Sequence, residues 1–184
     1  MPEKMEHYIG HPACTGKESE AERNTYRFLD AHGISHETFR HEAVFTMEDC
    51  AQMEKAIGAP ICKNLFLCNR QQTQFYLLML PGDKTFKTKL LSSELGCARL
   101  SFADESHMTG MLGIHPGAVS PMGLINEKQG NVSLVIDREL LSSEWFGCHP
   151  CVNTATLKLR MDDLLGKIVP ATGHSYKIVT LKTE

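Results

Sequence analysis

Three stretches of this chain carry side chains that could do chemistry together. Lys63 stands in "ICKNLFL", a run that otherwise reads as a buried strand. Lysine is rarely fully buried, so its ammonium either snorkels to the surface or faces a cleft, while Asn64 points to the opposite face of a regular strand. The second stretch, "GIHPGAVSPMGL" over residues 113–124, has three glycines, two prolines, a serine and no charge. Such a run is excluded from the middle of a helix or a central strand and forms an ordered loop. Backbone amides between Gly117 and Pro121, at Ala118, Val119 and Ser120, are poorly shielded by side chains and can line a pocket for a carbonyl or a phosphate. A plain structural turn is the competing reading. Ser120 lies outside any GxSxG elbow, which argues against a serine nucleophile.

The third stretch is "GCHPC", residues 147–151, a CxxC with His149 inside it. A thioredoxin-type site needs its first cysteine at a helix N-terminus, whereas this motif leads into "VNTATLKLR", whose Val/Thr content and alternation read as a strand. Zinc normally takes a second cluster of ligands, and no second CxxC occurs in the chain. The expectation is no metal and no cofactor, with His149 at a strand edge facing a pocket. "DKTFKTK" adds Lys84, Lys87 and Lys89, and Lys158 and Arg160 follow later. A solvated face is the simplest account of those cations.

The elements that must position these residues alternate along the chain. "GKESEAERNTYRFLDAHG" places Ala21, Thr25, Phe28, Leu29 and His32 on one helical face and stops at Gly33. A short strand "ISHETF" follows, then the helix "TMEDCAQMEKAIG", with Thr46 and Asp49 at capping-box-like spacing and Gly58 closing it. "ICKNLFLCN" and "QFYLLML" flank the polar turn "NRQQT" and predict a hairpin. Then come a helix in "DKTFKTKLLSSEL", a strand "ARLSFA", a helix "DESHMTGMLG", and the 113–124 loop. "GLIN" and "VSLVID" around the turn "EKQGN" suggest a second hairpin, followed by a short helix "RELLSSE", the strand "CVNTATLKLR", the helix "MDDLLGKI" and the strand "SYKIVTL". This interleaving predicts a mixed sheet in an α/β or α+β domain rather than a doubly wound parallel sheet.

At 184 residues the chain suits one domain. No apolar run approaches the roughly 20 residues of a membrane span, and the first residues lack an apolar signal core, so a cytoplasmic protein is expected. Seven cysteines, an odd number, are scattered through core-like segments and argue against a disulfide framework. The net charge of −3 supplies no global attraction to nucleic acid, so an RNA partner has to be held by local contacts.

Taken together, "ICKNLFL", "GAVSPMGL", "HPCVNTATL" and the terminal "GHSYKIV" resemble, in this order and spacing, the YbaK/ProRS-associated editing domain family, and within it the free-standing prolyl-tRNA editing proteins. The likeness runs from about residue 20 to the end. It implies an α/β (α+β) single domain, residues 17–184 after an N-terminal extension of residues 1–16, whose central mixed, partly barrel-like sheet is surrounded by helices. It also implies a trans-editing hydrolase that cleaves the ester of tRNA(Pro) mischarged with alanine and spares prolyl-tRNA. By that resemblance Lys63, Gly117 and His149 are catalytic, and Ala118, Val119, Ser120, Pro121, Asn153 and, with a bulge that turns it inward, Asn64 bind substrate. Lys84, Lys87 and Lys89 are the candidate tRNA-binding patch. The implied partners are alanine-charged tRNA(Pro) and a prolyl-tRNA synthetase, with no membrane and no DNA. A cysteinyl-tRNA(Pro) deacylase of the same family, a non-catalytic binding module and a CxxC oxidoreductase remain as alternatives.

Overall fold

This computed structural model describes residues 5–43 and 47–182. In chain order its elements are β1 (Glu6–Ile9), α1 (Glu20–Ala31), β2 (Glu37–Arg40), α2 (Met47–Ile57), β3 (Cys62–Asn69), β4 (Phe75–Pro81), α3 (Thr88–Leu95), β5 (Leu100–Phe102) and α4 (Glu105–His107). A π-helical turn (Met108–Leu112), a 3-10 turn (Pro121–Ile125), β6 (Val132–Asp137), a 3-10 turn (Arg138–Ser142), β7 (Trp145–Cys148) and β8 (Ala155–Arg160) follow. α5 (Met161–Asp163), a π-helical turn (Leu164–Ile168), α6 (Val169–Ala171) and β9 (Tyr176–Val179) complete it.

The strands form two sheets. One is antiparallel, in the order β1-β2-β8-β7; the other is mixed, in the order β5-β3-β4-β6-β9, with β4, β6 and β9 mutually parallel. The hairpin of β3 and β4 is the predicted one. β4 is central and covered on both faces, which explains its unbroken apolar run: Leu77, Leu78, Met79 and Leu80 are fully buried. Each such side chain contributes about 1.5–3 kcal/mol. Cys62, Phe66, Leu77 and Met79 face the main core, shared with Tyr26 and Leu29 of α1 and Leu157 and Leu159 of β8. Leu65, Leu67, Leu78 and Leu80 face a second core under α3. The sheets meet where Ile61 bridges Gly147 in parallel, giving an open, partly barrel-like arrangement with helices around it.

α1 begins where the Ser19 hydroxyl accepts the Glu22 amide at 3.1 Å and ends before Gly33, in the left-handed region at φ +60°. His32, read onto its inner face, is exposed. Thr46, read as the first residue of a capping box, lies outside the described residues.

Other boundaries differ from the sequence reading. "GLIN" falls in the 3-10 turn Pro121–Ile125, so β6 lacks the expected hairpin partner and instead lies parallel to β4 and β9. Pro121 and Ser120 set that turn: the proline fixes φ at its start and the Ser120 hydroxyl accepts the Met122 amide. β8 begins at Ala155, because Cys151 takes a left-handed φ of +63° and breaks the extended run. β7, Trp145–Cys148, was not read as a strand; the glycine inside it hides its alternation. Within the first 16 residues, Glu6–Ile9 adds an edge strand against β2.

Candidate functional site

The site forms where β3 and β7 part. Gly147 donates its amide to the Pro60 carbonyl at 2.8 Å, and a Cβ at this glycine would lie 3.1 Å from Ile61 Cγ1, so glycine allows the strands to approach. Two residues beyond this bridge on each strand come Lys63 and His149. After His149 the chain turns through Cys151 and Asn153 into β8, and the turn is closed by His149 Nδ1, which donates to the Ala155 carbonyl at 2.8 Å. A carbonyl only accepts, so the neutral imidazole carries its proton on Nδ1 and presents Nε2 as an acceptor.

Burial lowers the His149 pKa, and neighbouring His41 lowers it further against the opposing Ala155 bond. His41, whose Nε2 lies 2.9 Å from Thr156 Oγ1, has its pKa lowered by burial as well. Both rings are therefore neutral at pH 7. A histidine whose folded pKa lies below its unfolded value of about 6.5 binds fewer protons folded than unfolded just below that pH. Its contribution to stability is complete above pH 6.5 and is lost as the pH falls through the folded pKa. Denaturant unfolding between pH 7.5 and 5 should show stability falling with pH, and His149→Gln should flatten that slope; an unchanged slope would place the linkage elsewhere. His11 works the other way: burial lowers its pKa, but its hydrogen bonds to Asp30 and the Pro12 carbonyl, with the Asp30 charge, together raise it.

The 113–121 loop leans on the same turn. Gly113, at φ +66°, ends the helical segment before it, and Asn126 Nδ2 donates to the Leu112 carbonyl at 2.9 Å. Ala118 donates its amide to His115 within a turn at 3.2 Å. At the far end Ser120, fully buried, donates its hydroxyl to the His149 carbonyl at 2.5 Å. Gly117 is exposed at φ +87°, and a Cβ there would sit 3.8 Å from Asn153 Nδ2. Among the described residues, no internal acceptor meets the amides of Gly117, Val119 or Ser120. The Ala118 amide, expected to serve the pocket, is already used. Ala118 itself packs in the main core, with Val119 half-buried beside it.

Asn64 shares the face of Cys62 and Phe66, the side on which Ala118 and Cys148 pack. No bulge is needed to turn it inward. Its Nδ2 donates to the Cys62 carbonyl at 3.3 Å, while its buried Oδ1 has no partner. Lys63 points to the other face, half-buried, and its Nζ donates to the Lys84 carbonyl at 2.8 Å. Lys87 and Lys89 are exposed beside the start of α3. Lys84 does not join them in a patch: it is buried, with Nζ 2.8 Å from both Asp137 Oδ2 and Glu139 Oε2.

The CxxC is not a redox pair. Burial pushes the Cys148 thiol up to about 12 against the lowering effect of the neighbouring Ser120 hydroxyl, and pushes Cys151 to about 12 as well. Thiolate is the reactive species, so neither sulfur is a nucleophile at neutral pH. Cys151 instead fills the core and accepts a hydrogen bond from Thr25 at 3.6 Å. No group of three or more metal-ligating side chains is found among the described residues. No helix there is long and apolar enough to cross a membrane.

Comparison with known proteins bears on this geometry. The family model of the aminoacyl-tRNA editing domain matches residues 41–167, a span that contains every residue of the site. The chain belongs to the aminoacyl-tRNA editing domain family. The prolyl-tRNA editing protein ProX of Acetoanaerobium sticklandii is 34% identical to it over 153 residues, covering 83% of this chain and 93% of the relative. The prolyl-tRNA synthetase associated domain-containing protein 1 of Danio rerio is 30% identical over 155 residues, 83% of each. A solved structure described as a candidate trans-editing enzyme for prolyl tRNA synthetase shares the fold, with a TM-score of 0.66 at 16% identity over 90% of this chain and 100% of that one.

Sequence reasoning missed Asn126, which fastens the start of the loop. It also noted "GHSY" without its contact: His174 Nε2 pairs with Glu127 Oε2 at 2.7 Å in the interior, and Glu127 accepts the amides of Gln129 and Asn131. No local pattern announces a contact between residues 47 positions apart.

Proposed function

We propose that this chain is a trans-editing deacylase that hydrolyses the ester of tRNA(Pro) mischarged with alanine and spares Pro-tRNA(Pro). As a member of the editing family it is a hydrolase of aminoacyl-tRNA esters, resembling ProX over most of its length. The finer reading concerns the amino acid removed and the roles of the residues.

An aminoacyl ester is already activated, so hydrolysis calls for a placed water and a polarised carbonyl more than a strong protein base. The unused amides of Gly117, Val119 and Ser120 polarise the ester carbonyl. The ribose hydroxyl beside the ester helps to orient the water, so the substrate supplies part of its own catalysis. Lys63 meets the terminal phosphate as a point charge, with two N–H donors left beyond its bond to Lys84. Asn64 Oδ1 accepts from the substrate's α-ammonium, His149 Nε2 borders the amino-acid pocket, and Asn153 and Pro121 flank the loop.

The observation that supports this reading best is the joint between loop and turn. The Ser120–His149 bond ties the loop that carries the free amides to the backbone of the turn that carries the imidazole, and Asn64 holds a buried acceptor without a donor. Such an acceptor costs about 1–3 kcal/mol unless a ligand supplies a donor. Proline is excluded by size, because a pocket fitted to one methyl overlaps a ring, and overlap is penalised more steeply than missing contact at about 1–3 kcal/mol per methylene.

The protein would act in the cytoplasm on tRNA(Pro), alone or beside prolyl-tRNA synthetase, without a cofactor, a membrane or DNA. Release of labelled amino acid from Ala-, Cys- and Pro-tRNA(Pro) tests the reading. Fast loss of alanine alone supports it. Preferential loss of cysteine would make the chain a cysteinyl-tRNA(Pro) deacylase, and tight binding without release would make it a binding module.

A further inference from the structure

Lys63 is held by a backbone carbonyl that belongs to an irregular segment. Residues 82–87 link β4 to α3 with no ladder of their own, yet the Lys84 carbonyl lies 2.8 Å from Lys63 Nζ. Two contacts pin the segment. Gly82 passes so close to β3 that an added Cβ would stand 2.9 Å from the Ile61 carbonyl. Lys84 then sends its side chain across the ends of the parallel strands β4 and β6, where its ammonium lies 2.8 Å from Asp137 and 2.8 Å from Glu139. The Asp137 side chain is 1% exposed and that of Lys84 7%. Asp137 is itself fixed, since its Oδ1 accepts the Glu139 amide at 3.1 Å. Burial disfavours the Lys84 charge, but the two carboxylates outweigh it and raise its pKa, so the ion pair persists at neutral pH.

We infer that Lys84 is a positioning residue for Lys63: its side chain, locked between Asp137 and Glu139, fixes the carbonyl that aims the Lys63 ammonium at the substrate. This rests on the reading of Lys63 as a substrate-binding cation. A buried lysine is a demanding way to tie a loop when an apolar side chain would pack without a charge to match. Here its backbone oxygen and its ammonium serve opposite ends of one relay.

Removing Lys84 alone would strand the buried Asp137 charge, so the test uses Lys84→Met/Asp137→Asn, which deletes both charges, with Lys84→Arg beside it. Thermal unfolding first establishes that each variant is folded. The paired variant should lower kcat/KM for Ala-tRNA(Pro) about tenfold, through misplacement of a positioned group. Lys84→Arg, which can still bridge both carboxylates, should restore most of it. The paired variant with Lys63→Ala added should turn over no more slowly than Lys63→Ala alone, the signature of two residues acting through one contact. Acetylation of Lys63 by acetic anhydride, followed by peptide mass spectrometry, should speed up several-fold in the paired variant. Unchanged Lys63 acetylation, or losses that simply multiply, would overturn the inference while leaving the site reading intact. Full turnover in Lys63→Ala would instead remove Lys63 from the site, and the acetylation rates alone would then decide whether Lys84 holds it.

Discussion

Lys63→Ala should cut kcat/KM for Ala-tRNA(Pro) by about 10²-fold to 10³-fold, the usual cost of losing one preorganised donor in a catalytic site. Stability should hardly change. Lys63 is half-buried, belongs to neither core cluster, and makes one hydrogen bond to a backbone carbonyl in an irregular segment. Losing about 1 kcal/mol would lower the melting temperature by about 2–4 °C in a chain of this size. The alanine variant therefore separates chemistry from folding, which most substitutions in β3 would not. Lys63→Arg should rescue poorly. A planar guanidinium cannot place a single nitrogen 2.8 Å from the Lys84 carbonyl and still present a compact charge to a phosphate. Single-turnover deacylation, with melting curves on the same samples, decides the matter: wild-type rates in Lys63→Ala would remove the residue from the site.

The sequence reading and the structure agree where local physics is strong. β4 was legible because a strand covered on both faces needs an unbroken apolar run, and "QFYLLML" is one. α1 was legible from its periodicity and from Gly33, whose left-handed φ ends it. The failures share a cause. "GLIN" is apolar enough for a strand, but Pro121 at its start and the Ser120 hydroxyl on the Met122 amide favour a 3-10 turn. "CVNTATLKLR" alternates like a strand throughout, yet its first four residues turn because Cys151 anchors to Thr25, more than a hundred residues earlier in the chain. Tertiary contacts decided these segments, and no window of sequence contains them.

The candidate site divides in the same way. Lys63, the Gly117–Pro121 loop and His149 stand out as candidates because lysine in a strand, glycine with proline in a charge-free loop, and CxxC around a histidine each depart from ordinary composition. What tied them together was hidden. Lys84 looked like part of a basic surface cluster, and its two acidic partners lie more than fifty residues away on another strand end. With Lys63 facing the pocket, Asn64 needs a bulge to reach it; the structure keeps strict alternation instead and gives the inner face to the asparagine. Types of residue announce chemistry, whereas pairings emerge only when the chain has folded.

Gly117→Val should also abolish most turnover, by about a hundredfold, through the backbone. At φ +87° the residue sits in a region that side chains rarely enter, and a β-branched one least of all. Forcing it there costs about 1–3 kcal/mol, and the loop relieves the strain by turning its peptide away. Because Gly117 is exposed, that rearrangement leaves the core untouched and the melting temperature within a few degrees of wild type. The Gly117 amide would turn away with the flipped peptide, while Ser120 remains tied to His149. Gly117→Ala separates strain from bulk. Its Cβ would stand 3.8 Å from Asn153 Nδ2, an ordinary contact, so any loss comes from φ alone and should be smaller than that of valine. A graded loss, with alanine between glycine and valine, means the peptide orientation at 117 carries the ester chemistry. Equal rates in all three would mean that the loop does no more than reverse the chain, and that the polarising donors lie elsewhere.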